Sequence, residues 1–374
     1  MRARLGHLVR FTQNDGREPA HRVDLFQETV VKIRATSLRR VIAVGLVAAT
    51  AAGTAACATS SDSASEVNLL THDSFALPQN LVDDFQRETG LKLNIQKSGD
   101  AGQLSSVVSL TPGSPKADAV FGIDNTFAAR PIEAGALEPY TSPLAAKGAA
   151  EFAVAGHEDQ LTAVDRGDVC LNVDDAWFEN KGVEAPTSID DLSQPAYRDL
   201  TVVMDPATSS PGMGFLLSTI GRFKSKAFDY WRGLSGNGVQ VVSGWEQAYN
   251  QLFSAGEGHG PKPIVVSYAS SPAATPGTSA ILDSCFAQIE YVGILKGARN
   301  SAGARKLVDF MLSPGVQAAL PTAMYVYPVQ KNTPMPADWR QRAPAPGWTV
   351  RMDPDWINKN REEWLTQWRA TVKP

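Results

Sequence analysis

Four short polar runs, each following a stretch of β-branched or aromatic residues, carry most of the side chains in this sequence that could do chemistry. Leu70 leads into Thr71-His72-Asp73-Ser74-Phe75, Phe121 into Gly122-Ile123-Asp124-Asn125, Met204 into the segment from Asp205 to Gly214, and Val266 into Ser267-Tyr268-Ala269-Ser270-Ser271-Pro272. Ligands of open α/β sheets sit at the carboxyl ends of strands, so these runs could line one cleft. The segment from Thr208 to Gly214 has the clearest physics: Ser210 can cap a helix, Pro211 fits its first position, and the glycines let backbone N–H groups approach a ligand. A helix opened this way favours a phosphate or carboxylate, and the same residues also describe an ordinary capped helix start. No Gly-Lys-Ser/Thr follows, which excludes a nucleotide-hydrolysing loop, and no Gly-x-Ser-x-Gly or serine–acid context surrounds the few histidines. The five histidines are scattered, with neither Cys-x-x-Cys nor His-x-x-x-His, so no metal site and no cofactor is expected.

The elements that must hold these runs are legible around them. Strand patterns occur at Val67–Thr71, Leu91–Gln96, Ala119–Phe121, Thr201–Met204, Ile264–Val266 and Ile289–Leu295. Leu81 and Phe85 make one helical face that Gly90 closes, and helices are predicted over Phe215–Arg222, Ala304–Leu312 and Ile357–Val372. Alternation of this kind predicts α/β layers with largely parallel sheets.

Ahead of them stands a leader. Lys32, Arg34, Arg39 and Arg40 precede an uncharged run, Val41 to Ala56, that is too short and Ala-rich to span a membrane comfortably and ends in Ala55-Ala56-Cys57. The segment resembles a bacterial lipoprotein signal, although Thr54 stands where that pattern usually has Leu. The resemblance implies that residues 1–56 are removed and that Cys57, diacylated, becomes the first residue of a 57–65 tether. The polar stretch in front is longer than such a leader needs, which points to a start codon near Val30 or Val31. Export lets thiols oxidise, so the remaining Cys170 and Cys285, each beside apolar residues, are expected to form a disulfide; two separately buried thiols are the other arrangement the pattern allows.

A chain of 374 residues with a net charge of −4 can bury a large core and has no basic field for nucleic acid. Its mean hydropathy of −0.18 and single long apolar run exclude a multi-span membrane protein.

Taken in order, Thr-His-Asp-Ser-Phe at 71–75, Gly-Ile-Asp-Asn at 122–125, Asp-Pro-Ala-Thr-Ser-Ser-Pro-Gly-Met-Gly at 205–214, Gly-Trp-Glu-Gln-Ala-Tyr at 244–249, Ser-Tyr-Ala-Ser-Ser-Pro at 267–272, Gln-Ile-Glu at 288–290 and Tyr-Pro-Val at 327–329 resemble the thiamine-binding substrate proteins of bacterial ABC importers. The resemblance covers nearly all of Val67 to Val372. It implies a type II periplasmic-binding-protein fold with a ligand cleft between two α/β lobes, lobe one at about 66–165 plus 290–374 and lobe two at about 166–289. It also implies a monomer without enzymatic activity, lipid-anchored on the outer face of the cytoplasmic membrane, that delivers thiamine or a thiamine phosphate to an ABC permease.

The site implied by the resemblance is built from Asp100 for the thiazolium charge, Trp245 and Tyr268 for stacking, and Ser209, Ser210 and Gly212 for the hydroxyl or phosphate tail. His72, Asp73, Ser74, Asp124, Asn125, Asp165 and Tyr325 complete it, with capping of the next helix as the other reading of Asp124 and Asn125. This chain departs from the pattern at His72 and Ala274, where a Tyr is usual, and at Tyr325, where a Trp is usual. The hinge reads Val164-Asp165-Arg166-Gly167-Asp168-Val169 in place of Asp-Tyr-Gly-Tyr, and Arg166 and Asp168 could form an ion pair there. Iron(III) binders of the same fold present adjacent tyrosines, which this sequence lacks, while a polyamine binder would also use acids and aromatics.

Overall fold

The computed structural model describes residues 65–372; the expected leader, Cys57 and most of the expected tether lie outside them. Its strands are β1 (Glu66–Thr71), β2 (Lys92–Lys97), β3 (Ala119–Asp124), β4 (Leu137–Glu138), β5 (Thr162–Asp174), β6 (Thr201–Met204), β7 (Gln240–Val242), β8 (Ile264–Tyr268), β9 (Thr278–Leu295), β10 (Tyr327–Pro328) and β11 (Thr349–Val350). They form one sheet in the order β2-β1-β3-β9-β5-β8-β6-β7, with β4 and β11 added to β9 and β10 to β5.

Each flank of the sheet is a parallel set, β2-β1-β3 on one side and β8-β6-β7 on the other. Runs such as Val202-Val203-Met204 and Ile264-Val265-Val266 are buried throughout, as expected where helices cover both faces of parallel strands. The centre corrects the expectation of a largely parallel sheet: β9 and β5 run antiparallel to each other and to β3 and β8. The hydrophobic pattern shows only the end of β9, Ile289–Leu295, and misses β5, because polar residues interrupt both strands, Asp165 to Asp168 in β5 and Thr278, Ser279 and Asp283 in β9. Their pairing shifts register between Ala163 and Asp165 and again between Val169 and Leu171.

Helices follow the expected strands. Gln79–Thr89 buries Leu81 and Phe85 and stops at Gly90, whose φ of 73° is left-handed. The helix Ser210–Phe223 is capped by Ser209, not Ser210: Ser209 has extended backbone angles, and its hydroxyl accepts from Gly212 N, whereas Ser210 is already helical. The terminal helix Pro354–Thr371 sets Trp368 edge-on to Trp231 of the helix Ala227–Gly236, with ring centroids 5.7 Å apart. Among the described residues no helix is long and apolar enough to cross a membrane.

Cys170 of β5 and Cys285 of β9 are joined by a disulfide, with Cα atoms 4.6 Å apart. Closing a loop over a sequence separation of 115 residues restricts the unfolded chain and contributes about 2–4 kcal/mol.

Candidate functional site

The carboxyl ends of β1, β2 and β8, the start of the helix Ser210–Phe223, the turn at Trp245, the middle of β9 and the segment before β10 meet around a cavity of about 320 Å³. Of the side chains singled out in the sequence, His72, Asp73, Ser74, Asp100, Ser210, Trp245, Tyr268 and Tyr325 line it. Asp124, Asn125, Asp165, Ser209 and Gly212 stand behind the lining.

His72 lies over β3 because residue 122 is glycine: a Cβ there would come within 2.0 Å of the imidazole, and the φ of 95° is one only glycine adopts readily. The ring is buried, and its Nε2 is 3.4 Å from Oε1 of Glu290. Burial first, and then the charge of Lys97, lower its pKa to about 4, so the imidazole is neutral near pH 7.

Glu290 sits on the cavity floor, 4% exposed, and Asp165 faces it as its direct register partner across the β5–β9 ladder. Neither oxygen of Asp165 meets another donor. Burial pushes both carboxyls upward, Asp165 to about 8 and Glu290 well above the carboxylate range, and for Glu290 the neighbouring Asp165, Asp124 and Asp100 add to the effect. Two neighbouring carboxyls with no cation beside them do not both ionise, so without a ligand the pair keeps a proton. Tyr268 covers it from β8, its ring lying on Gly167 and its hydroxyl accepting from Gln288 Nε2 at 3.2 Å.

Behind this floor, Asp124 Oδ1 accepts from the backbone N–H of Thr126 and Phe127 and from the Thr126 hydroxyl, which is a capping role. Burial raises its pKa to about 6. Asn125 bridges strands: its Nδ2 donates to Ala287 O, and its Oδ1 accepts from Ile289 N.

Asp100 organises the opposite wall. It caps the helix Ala101–Ser109 through a 2.7 Å bond from Ala101 N, accepts from Trp245 N at 3.0 Å, and takes further hydrogen bonds from Ser209 and from the backbone of Ser210. The start of the helix Ser210–Phe223 therefore meets a carboxylate of the chain itself, while Ser210 still lines the cavity. Burial nevertheless raises the pKa of Asp100, against the four donors that lower it.

Trp245 stacks on Tyr249, with ring centroids 4.8 Å apart and planes 11° apart, and its Nε1 donates to Ser267 Oγ at 2.9 Å. Tyr325, at a left-handed φ of 60°, turns its ring toward this pair at 6.2 Å from Trp245. Two sides of the cavity are thus flat and aromatic. Arg166 lies over the Tyr327 ring at 5.0 Å, and no direct ion pair joins it to Asp168 among the described residues.

Sequence reasoning left out Glu290, Glu246, Glu257, Asn250 and Lys97, all of which line the cavity. Glu290 had a signal, an acid inside the otherwise apolar run Ile289–Leu295. Glu246 lies next to Trp245 in the 244–249 motif, whereas Glu257 had no signal, because only the fold turns it toward the other carboxylates. With Asp73 and Asp100 they make five carboxyl side chains around one lysine. Among the described residues no group of three His, Cys, Asp or Glu side chains is arranged to hold a metal ion.

A family model described as bacterial extracellular solute-binding protein matches residues 114–350. The thiamine-binding periplasmic protein of Escherichia coli (strain K12) is 28% identical over 322 residues, 82% of this chain and 93% of that one. The protein of the same name from Brucella melitensis biotype 1 is 26% identical, over 82% of this chain and 92% of that one. A solved structure titled periplasmic thiamin binding protein superposes with a TM-score of 0.73 at 23% identity, covering 83% of this chain and 96% of the other.

Proposed function

We propose, from the premise that the chain belongs to the bacterial extracellular solute-binding protein family, that it captures thiamine outside the cytoplasm and hands it to an ABC permease. The observation that carries this reading is a cavity combining five carboxyl side chains with the aromatic rings of Trp245, Tyr268 and Tyr325. Thiamine is a flat aminopyrimidine joined to a cationic thiazolium, and it needs both features at once: negative charge for the cation and aromatic faces for the rings. The names of the relatives point to the same ligand. A polyamine would use the same acids and aromatics, so the names of the relatives, and not the lining alone, favour thiamine.

The lobes then divide around the shared strands β5 and β9, at about 66–165 plus 290–374 and 166–289, with ligand bound between them. Cys57 would carry a lipid anchor at the end of the tether, keeping a monomeric binding protein beside its permease. An acylated Cys57 at the mature N-terminus, read by mass spectrometry, is the outcome that supports this arrangement.

Isothermal titration of the mature protein with thiamine, spermidine and ferric citrate separates the ligand classes. Thiamine should bind and the other two should not. Trp245→Ala should weaken thiamine by about 1–3 kcal/mol, in the range of buried aromatic anchors. Binding of spermidine in preference to thiamine would replace the reading.

A further inference from the structure

The carboxyl pair on the cavity floor is more than a negative wall. Glu290 and Asp165 face each other across the ladder, both almost wholly out of water, and Asp165 has no donor other than its partner. Glu290 alone of the two reaches the cavity. The groups around it come from every neighbouring element: His72 from the end of β1, Asp124 from β3, Asp100 from the start of the helix Ala101–Ser109, and Tyr268 from β8. His72 is neutral, and its Nε2 has no hydrogen-bond partner closer than the 3.4 Å contact to Glu290. Lys97, which also lines the cavity, acts on His72. No fixed cation faces the pair within this set, so in the empty cleft a proton is what neutralises it.

We propose that this pair exchanges its proton for the cargo: when the cationic ring of the ligand docks over Glu290, the proton shared by Glu290 and Asp165 leaves to solvent and the ligand's charge takes its place. The exchange rests on the reading of thiamine as the ligand. It follows from linkage, because a positive charge entering a closed, donor-poor site favours the ionised form of the nearest carboxyl. Both the proton and the cation compete for one negative charge, so each weakens the binding of the other by the same factor. The pair thereby serves as a charge filter. An uncharged ring system that fits the cavity leaves the proton where it is and gains nothing from the floor.

Calorimetric titration in buffers of different ionisation enthalpy measures the exchange directly. Wild-type protein should release a substantial fraction of one proton per thiamine bound, and affinity should rise at least about tenfold between about pH 6 and about pH 8. The neutral aminopyrimidine half of thiamine should bind without proton release. Glu290→Gln, and separately Asp165→Asn, should abolish the release and flatten the affinity profile. Thiamine binding that releases no proton in the wild type overturns the exchange and leaves the thiamine reading standing, even if neither variant folds. Release that persists in both variants also overturns it. Failure of thiamine to bind at all overturns the functional reading and the exchange together.

Discussion

Carboxylates are buried at both ends of β3, and the two ends treat them in opposite ways. At the start of the strand Asp118 is 2% exposed and accepts three hydrogen bonds, from Asn68 N at 2.8 Å, Asn68 Nδ2 at 3.2 Å and Asn300 N at 2.8 Å. It ties β1, β3 and the helix Ser301–Met311 together with every donor in place. At the other end the Glu290–Asp165 pair is equally buried, and Asp165 has no donor other than its partner. Burial by itself therefore says nothing about role. The supply of hydrogen bonds separates a carboxylate that holds the fold from one left ready for a ligand.

The largest effect expected from this contrast is on stability at the well-supplied end. Asp118→Ala leaves three part-buried donors without their acceptor and should lower the unfolding free energy by about 2 kcal/mol, with thiamine affinity unchanged in the folded fraction. Urea unfolding beside calorimetric titration checks both halves; a loss below about 0.5 kcal/mol would erase the distinction.

Glu290→Gln should do the reverse. We expect thiamine affinity to fall about tenfold, near 1.4 kcal/mol, while the unfolding free energy of the empty protein at about pH 8 holds or rises. A stability loss comparable to that of Asp118→Ala would mean that the floor carboxyls hold the fold after all.

The last effect is a slope. A carboxyl whose folded pKa is raised keeps a proton that the unfolded chain has given up, so it stabilises the fold below its ordinary value and loses that contribution as pH climbs through the folded one. For Asp165 this window runs from about 4 to about 8. His72, lowered to about 4, tilts the other way up to its ordinary value of 6.5. Stability of the empty protein should therefore decline most clearly between about pH 6.5 and about pH 8, by up to about 1.4 kcal/mol per pH unit for each proton held, and the decline should flatten in Asp165→Asn. Unfolding curves that stay level across that interval would argue against a proton held by the pair.

Much of this arrangement can be read before folding. The strands of the flanks and the loops that end them follow from apolar runs bounded by polar residues, and the loops at His72–Phe75, Ser210 and Tyr268 do converge. The stacked pair Trp245 and Tyr249 is also legible, since residues four apart on a helical turn share a face. Three features are not. The length of β5 is hidden by charges that a buried strand is not supposed to contain. The approach of Asp100 to the helix start depends on residues near 100, 209 and 245 meeting in space. Glu290 reads as a misfit in its strand until Asp165 is placed across from it.

Both sulfurs of the Cys170–Cys285 bridge are fully buried, with no exposed surface on either cysteine. A dissolved thiol must touch a sulfur to exchange it, and in the folded protein it cannot. The bond's redox state is thus written once, while the chain is still open, and afterwards it is insulated from whatever the surroundings become. Each finished molecule carries a sealed record of the chemistry of the place where it folded.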